Sequence, residues 1–103
     1  MTVKWHPAAV QEFLALDDEA QEQVNHHIEK LPENGLSWEK VERVKREHMG
    51  LDAFRLKIDP DDAPATNHRV LFDVDNSTFF IAKIGVRPGF YHPDNLGEAE
   101  KRL

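Results

Sequence analysis

A chain of 103 residues, 40% hydrophobic and 31% charged, can form one hydrophobic core but not two, and its composition is not that of a disordered protein. A formal charge of −6 argues against indiscriminate binding to nucleic acid or anionic membranes, though not against a local basic site. The absence of cysteine excludes disulfide scaffolds, thiol nucleophiles and cysteine-bearing zinc sites, and makes the cytoplasm the expected compartment.

Val3 and Trp5 alternate with Thr2, Lys4 and His6, which predicts a short strand with one buried face. Pro7 suits the first turn of a helix, where its missing N–H would have no partner. Val10, Phe13 and Leu14 then form one apolar stripe. Asp18 opens a second helix as its cap, with Gln21 in the capping-box position. Ala20, Val24, Ile28 and Leu31 are its buried stripe, and Pro32 with Asn34-Gly35 ends it. The two helices are expected to be antiparallel, joined at Asp17. Over 36–50 the pattern is open: Trp38, Val41 and Val44 fit a helix capped by Ser37, while Arg43 to Arg46 fits a short strand equally well.

From Ala53 the period becomes two. Phe54, Leu56 and Ile58 alternate with Arg55, Lys57 and Asp59, and Val70, Phe72 and Val74 with Arg69, Leu71 and Asp73. Phe80, Ala82, Ile84 and Val86 alternate with Phe79, Ile81, Lys83 and Arg87, and Asp75-Asn76 suits a two-residue hairpin turn. The expected class is α+β, two N-terminal helices packed on an antiparallel sheet. Val10, Phe13, Leu14, Val24, Ile28 and Leu31 should meet Phe54, Leu56, Val70, Phe72 and Ile84. The domain is expected over 1–92, followed by a tail, 93–103, in which Leu96, Ala99 and Leu103 suggest a short helix. No apolar run reaches the ~20 residues that span a bilayer, and no signal core follows Lys4, so no membrane partner is expected.

Side chains two apart on a strand share a face, so Arg55, Lys57, Arg69, Lys83 and Arg87 should lie opposite the apolar one. The segment 1–50 holds six Lys or Arg and ten Asp or Glu, which predicts acidic helices behind a basic sheet face. Clustered guanidinium groups suit bidentate contacts with phosphate. The alternative is an ordinary solvated face, partly neutralised by Asp59 and Asp73. By the same parity Phe79 and Ile81 should form an apolar patch beside these cations. His26 and His27 fit a solvated helix face better than a metal site. The five glycines are too scattered for a phosphate-cradling loop, and Ser37 and Ser77 lack a nucleophile-elbow context. No metal or cofactor is expected.

Over 3–91 the motifs Trp5-His6-Pro7-Ala8, Phe54-Arg55-Leu56-Lys57-Ile58, His68-Arg69-Val70-Leu71-Phe72 and Ile84-Gly85-Val86-Arg87, with Tyr91 beyond, resemble the RelE/ParE toxin superfamily in residues and order. The resemblance implies a β-α-α-β-β-β fold and the toxin of a type II toxin–antitoxin system. RelE-like members cleave messenger RNA on the ribosome with basic sheet side chains, an Arg on the last strand and a C-terminal Tyr; ParE-like members inhibit DNA gyrase. A third reading is a RelE-fold protein that binds its antitoxin without being toxic. The Arg/Lys/Arg/Arg/Tyr set favours RNA cleavage.

That chemistry requires no metal, because RNA supplies its own 2′-hydroxyl nucleophile. The resemblance implies Lys57 as general base, Arg55 as a phosphate-binding group, and Arg69 and Arg87 as donors to the phosphoryl oxygens in the transition state. The place of Lys83 on the basic face makes it a second phosphate-binding candidate. Tyr91 would stack on a base or assist proton transfer, and His68 and His92 are alternative acid–base groups. The implied partners are a cognate antitoxin and messenger RNA on the ribosome, with no sequence-specific DNA binding by this chain alone.

Overall fold

A computed structural model describes residues 2–44, 53–58, 68–86 and 101–102. The elements are β1 (Thr2–Trp5), α1 (Pro7–Leu14), α2 (Asp18–Glu29), α3 (Leu31–Asn34), β2 (Val41–Val44), β3 (Ala53–Ile58), β4 (His68–Asp75) and β5 (Thr78–Val86). They form one sheet in the order β1-β5-β4-β3-β2. The expected α+β class and the β3–β4–β5 meander are present. The sheet is mixed rather than antiparallel, however, because β1 pairs with β5 in parallel. A parallel partner needs a long crossover, which the helices and the first part of the meander supply.

Local chemistry accounts for the helix ends. His6 Nδ1 accepts from Ala8 N at 3.0 Å, and Pro7 begins α1. Asp17, not Asp18, caps α2, accepting from Ala20 N at 2.8 Å. The Gln21 amide turns back instead to the carbonyls of Leu14 and Leu16, tying the connection to the helix. Asp18 and Glu19 in the first turn complement the helix dipole. One turn, α3, follows the break at Lys30 and stops at Gly35, whose φ of 68° is a conformation that favours glycine.

The undecided stretch resolves in part: 41–44 is the strand β2, with Val41 opposite Leu56 and Glu42 opposite Arg55. Residues 45–50 lie outside the described residues, as do Asp59 and most of the proposed tail, of which 101–102 is helical.

The core lies on one face of the sheet. Ala9, Val24, Ile28 and Leu31 pack with Leu56, Ile58, Val70, Phe72, Phe79, Ile81 and Ile84, while Phe13 and Phe54 are half-buried against them. Leu14, expected in this core, is 58% exposed, and Leu16 in the connection packs there instead. Val10 is only half-buried.

A bulge in β5 decides which of its residues join the core. Leu71 pairs with Lys83 but Phe72 pairs with Ile81, so Ala82 is an extra residue that reverses the alternation. Phe79 and Ile81 consequently face the helices together with Ile84 and are fully buried. The apolar patch expected from them beside the cations is not formed. Phe80 points to the other face, beside Lys4 and Asp73. The β4–β5 turn also falls one residue later than expected: Asn76 and Ser77 have φ of 47° and 67°, and Asp75 pairs with Thr78 to close it.

Candidate functional site

Paired residues on adjacent strands project from the same face, so register alone assembles this site. Arg55, Leu71 and Lys83 form one row across β3, β4 and β5, and Lys57, Arg69 and Gly85 form the next. Four of the expected cations, Arg55, Lys57, Arg69 and Lys83, therefore share the face opposite the core. Lys83 keeps its place because the extra residue, Ala82, precedes it.

The four are not equally accessible. Arg55 and Lys57, on β3, are half-buried. Arg69 is 2% exposed and Lys83 6% exposed. Arg69 Nη1 donates to the His68 carbonyl at 2.9 Å, which fixes the direction of its guanidinium.

Two carboxylates that sequence reasoning did not select complete the arrangement. Glu42 of β2 receives Lys57 Nζ on Oε1 at 2.6 Å and Arg55 Nη2 on Oε2. Hydrogen bonds from Lys57 and then Arg55 hold its carboxyl at about 2, well below the usual carboxylate range. Glu12 of α1 receives Lys83 Nζ at 2.8 Å, Arg102 Nη1 at 2.9 Å and the Ile84 N–H at 3.1 Å. Burial pushes the Glu12 carboxyl up, but these bonds outweigh it and leave it below its ordinary value.

Glu12 also has a structural reason to be there. Pairing along β1 ends where His6 N donates to the Ile81 carbonyl, so the edge of β5 beyond it needs other partners. Glu12 accepts from Ile84 N, and Arg102 Nη1 donates to the Ala82 carbonyl at 3.0 Å.

His68 is not brought to this face. It pairs with Ile58 and shares the core side with Val70, so strand alternation turns it away from Arg69. Burial lowers its pKa, and the charge of Asp17 partly offsets that. Arg87, Tyr91 and His92 lie outside the described residues. Farther along the cation face, beyond Leu71, Lys4, Asp73, Asp75, Asn76, Thr78, Phe80 and Arg102 line a cavity of about 420 Å³. Its two aspartates make it a poorer place for phosphate than the Arg55–Lys57 end.

No group of three or more His, Cys, Asp or Glu able to hold a metal occurs among the described residues. His27 is engaged in packing, with Nδ1 2.8 Å from the Gln23 carbonyl and its ring stacked on Trp38, whereas His26 is exposed.

The sequence signal for Glu42 was weak, since Val41 and Val44 are three apart, a helical spacing, yet both are buried in a strand. Glu12 gave no signal, because its partners lie on the last strand and near the C-terminus.

No protein-family model and no curated protein matches the chain. Solved structures do match. A double mutant of the E. coli toxin RelE in the free state aligns with a TM-score of 0.71 and 16% identity, over 99% of this chain and 96% of that one. The YoeB–YefM complex from Staphylococcus aureus gives a TM-score of 0.62 and 17% identity, over 84% of this chain and 97% of its counterpart. The intact E. coli RelBE toxin–antitoxin complex gives 0.53 and 14%, over 82% and 94%. The chain therefore has the RelE-like fold. Within that fold it is similar to both RelE and YoeB toxins.

Proposed function

We propose that this chain is the toxin of a type II toxin–antitoxin pair and cleaves messenger RNA on the ribosome in the cytoplasm. The observation that carries this reading is the register that sets Arg55, Lys57, Arg69 and Lys83 on one sheet face of a RelE-like toxin fold. In the proposed reaction a base takes the 2′-hydroxyl proton, the 2′-oxygen bonds to phosphorus, and the 5′-oxygen leaves with a proton. Arg55 and Lys57, the more accessible pair, meet the phosphodiester first. Lys57 serves as base and Arg69 with Arg87 as donors to the phosphoryl oxygens. Lys83, buried and held by Glu12, braces the face rather than meeting the phosphate as expected. Tyr91 stacks on a base or relays a proton, and His92 is an alternative acid. The antitoxin complexes among the structural neighbours support a cognate antitoxin as partner.

One observation favours a second reading, a RelE-fold protein that binds an antitoxin without cleaving RNA: Glu42 and Glu12 already occupy three of the four cations. Purified protein incubated with ribosomes stalled on a defined transcript, followed by primer extension, decides between them. Cleavage should fall by roughly a hundredfold or more in Lys57→Ala and in Arg87→Ala. Lys57→Arg keeps the charge but not a practical base, and should stay inactive if Lys57 moves the proton. Uncut transcripts with wild-type protein overturn the nuclease reading. Expression that gives filaments with intact transcripts points instead to a ParE-like gyrase inhibitor, and normal growth points to the non-toxic protein.

A further inference from the structure

We infer that Glu42 is an internal stand-in for the substrate phosphate, occupying Arg55 and Lys57 in the free protein and exchanged for a phosphodiester of RNA on binding. The inference rests on the RNA reading above and concerns how that site is filled and emptied.

The geometry supports it in three ways. Each carboxylate oxygen of Glu42 takes one cation, Oε1 from Lys57 and Oε2 from Arg55, which is the pattern two non-bridging phosphate oxygens would make. Glu42 stands directly opposite Arg55 in the β2–β3 register, while Lys57 lies two positions along β3, so one side chain on the neighbouring strand spans both. The Glu42 side chain is also 43% exposed and can turn into water without opening the sheet.

Glu12 provides the contrast. Its side chain is 24% exposed and tied to a backbone N–H of β5 as well as to Lys83 and Arg102. Releasing it would strip a strand edge, so of the two carboxylates Glu42 is the exchangeable one. Exchange has a consequence for selectivity. An isolated phosphate must displace Glu42 for two ion pairs of the same kind, with little net gain. A longer RNA strand recovers that loss through a further phosphate contact, for which Lys4 is an exposed cation on the same face.

The test separates binding from cleavage with a 2′-O-methyl RNA oligonucleotide, which lacks the nucleophile. Its affinity is measured over a range of salt concentrations for wild type, Glu42→Gln and Asp73→Asn, the last a control for simple loss of negative charge on the same sheet face. Glu42→Gln should bind about tenfold more tightly, with the slope of log affinity against log salt steeper by about one. Asp73→Asn should gain no more than about twofold. If Glu42→Gln does not fold, as judged by its melting curve, Glu42→Ala takes its place with the same expectation. Wild-type binding that neither Glu42 variant strengthens overturns this inference alone, as does an equal gain in Asp73→Asn. RNA bound by no form of the protein overturns this inference, while the RNA reading stands or falls on cleavage of the ribosome-bound transcript.

Discussion

Glu12 and Lys83 stand seventy-one positions apart in the chain, and their side chains meet at 2.8 Å. The contact joins α1 to the bulged strand β5 at the place where β1 no longer covers it. Because Lys83 is buried, the pair carries more weight than a surface ion pair would.

Replacing Glu12 by Ala should therefore destabilise the domain. It withdraws the acceptor from Lys83, Arg102 and Ile84 N together, at a cost of about 2–4 kcal/mol. Urea denaturation is the measurement. A loss below about 0.5 kcal/mol would mean that the strand edge does not depend on Glu12.

Phe72 is fully buried and rings with Phe54 and Phe79, each at a centroid distance of 5.8 Å. Truncating Phe72 to Ala should cost on the order of 3–5 kcal/mol. Leu14→Ala should change stability by less than about 0.5 kcal/mol, since Leu14 lies largely in water. Comparable losses at the two sites would contradict the core assignment.

Ser77 holds a φ of 67° in the β4–β5 turn, a conformation that is unfavourable for most side chains. Ser77→Gly should raise stability by about 0.5–1 kcal/mol, because asparagine followed by glycine is the preferred pair for such a hairpin turn. A lower melting temperature in that variant would show that the serine side chain contributes something the turn geometry does not.

Stability should decline in two windows as the pH falls. The folded pKa of His68 lies below 6.5 because the residue is buried, so the unfolded chain takes up the proton first and stability starts to drop below about pH 6.5. Glu12 and Glu42 have folded values below 4.5, that of Glu42 about 2, so their contributions are present above 4.5 and fade as the pH descends through the folded values. Melting temperature against pH reads both, and His68→Asn should remove the upper decline. A wild-type curve flat from pH 7 to 5 would contradict the burial effect at His68.

Much of the fold was legible because its signals are local. Alternation placed Arg55 and Lys57 opposite Leu56 and Ile58, and Arg69 opposite Val70, and the paired strands bear this out. The helical stripe of Ala20, Val24, Ile28 and Leu31 is buried as its spacing requires. Alternation failed in β5, where one extra residue cannot be recognised in a run as uniformly apolar as Phe79-Phe80-Ile81-Ala82. It also gave no warning that Arg69 and Lys83 would be buried, because parity assigns a face and says nothing of what covers it.

Composition and periodicity by themselves determined the α+β class, a basic sheet face and two helices on the other side, since each follows from spacing along one segment. The tertiary structure alone decided that β1 lies parallel to β5, that Ala82 reverses the strand's alternation, and that Glu12 and Glu42 hold Arg55, Lys57 and Lys83. These depend on which strand edge lies beside which, and on contacts such as Glu12–Lys83 between residues far apart in the chain, information that no local pattern contains.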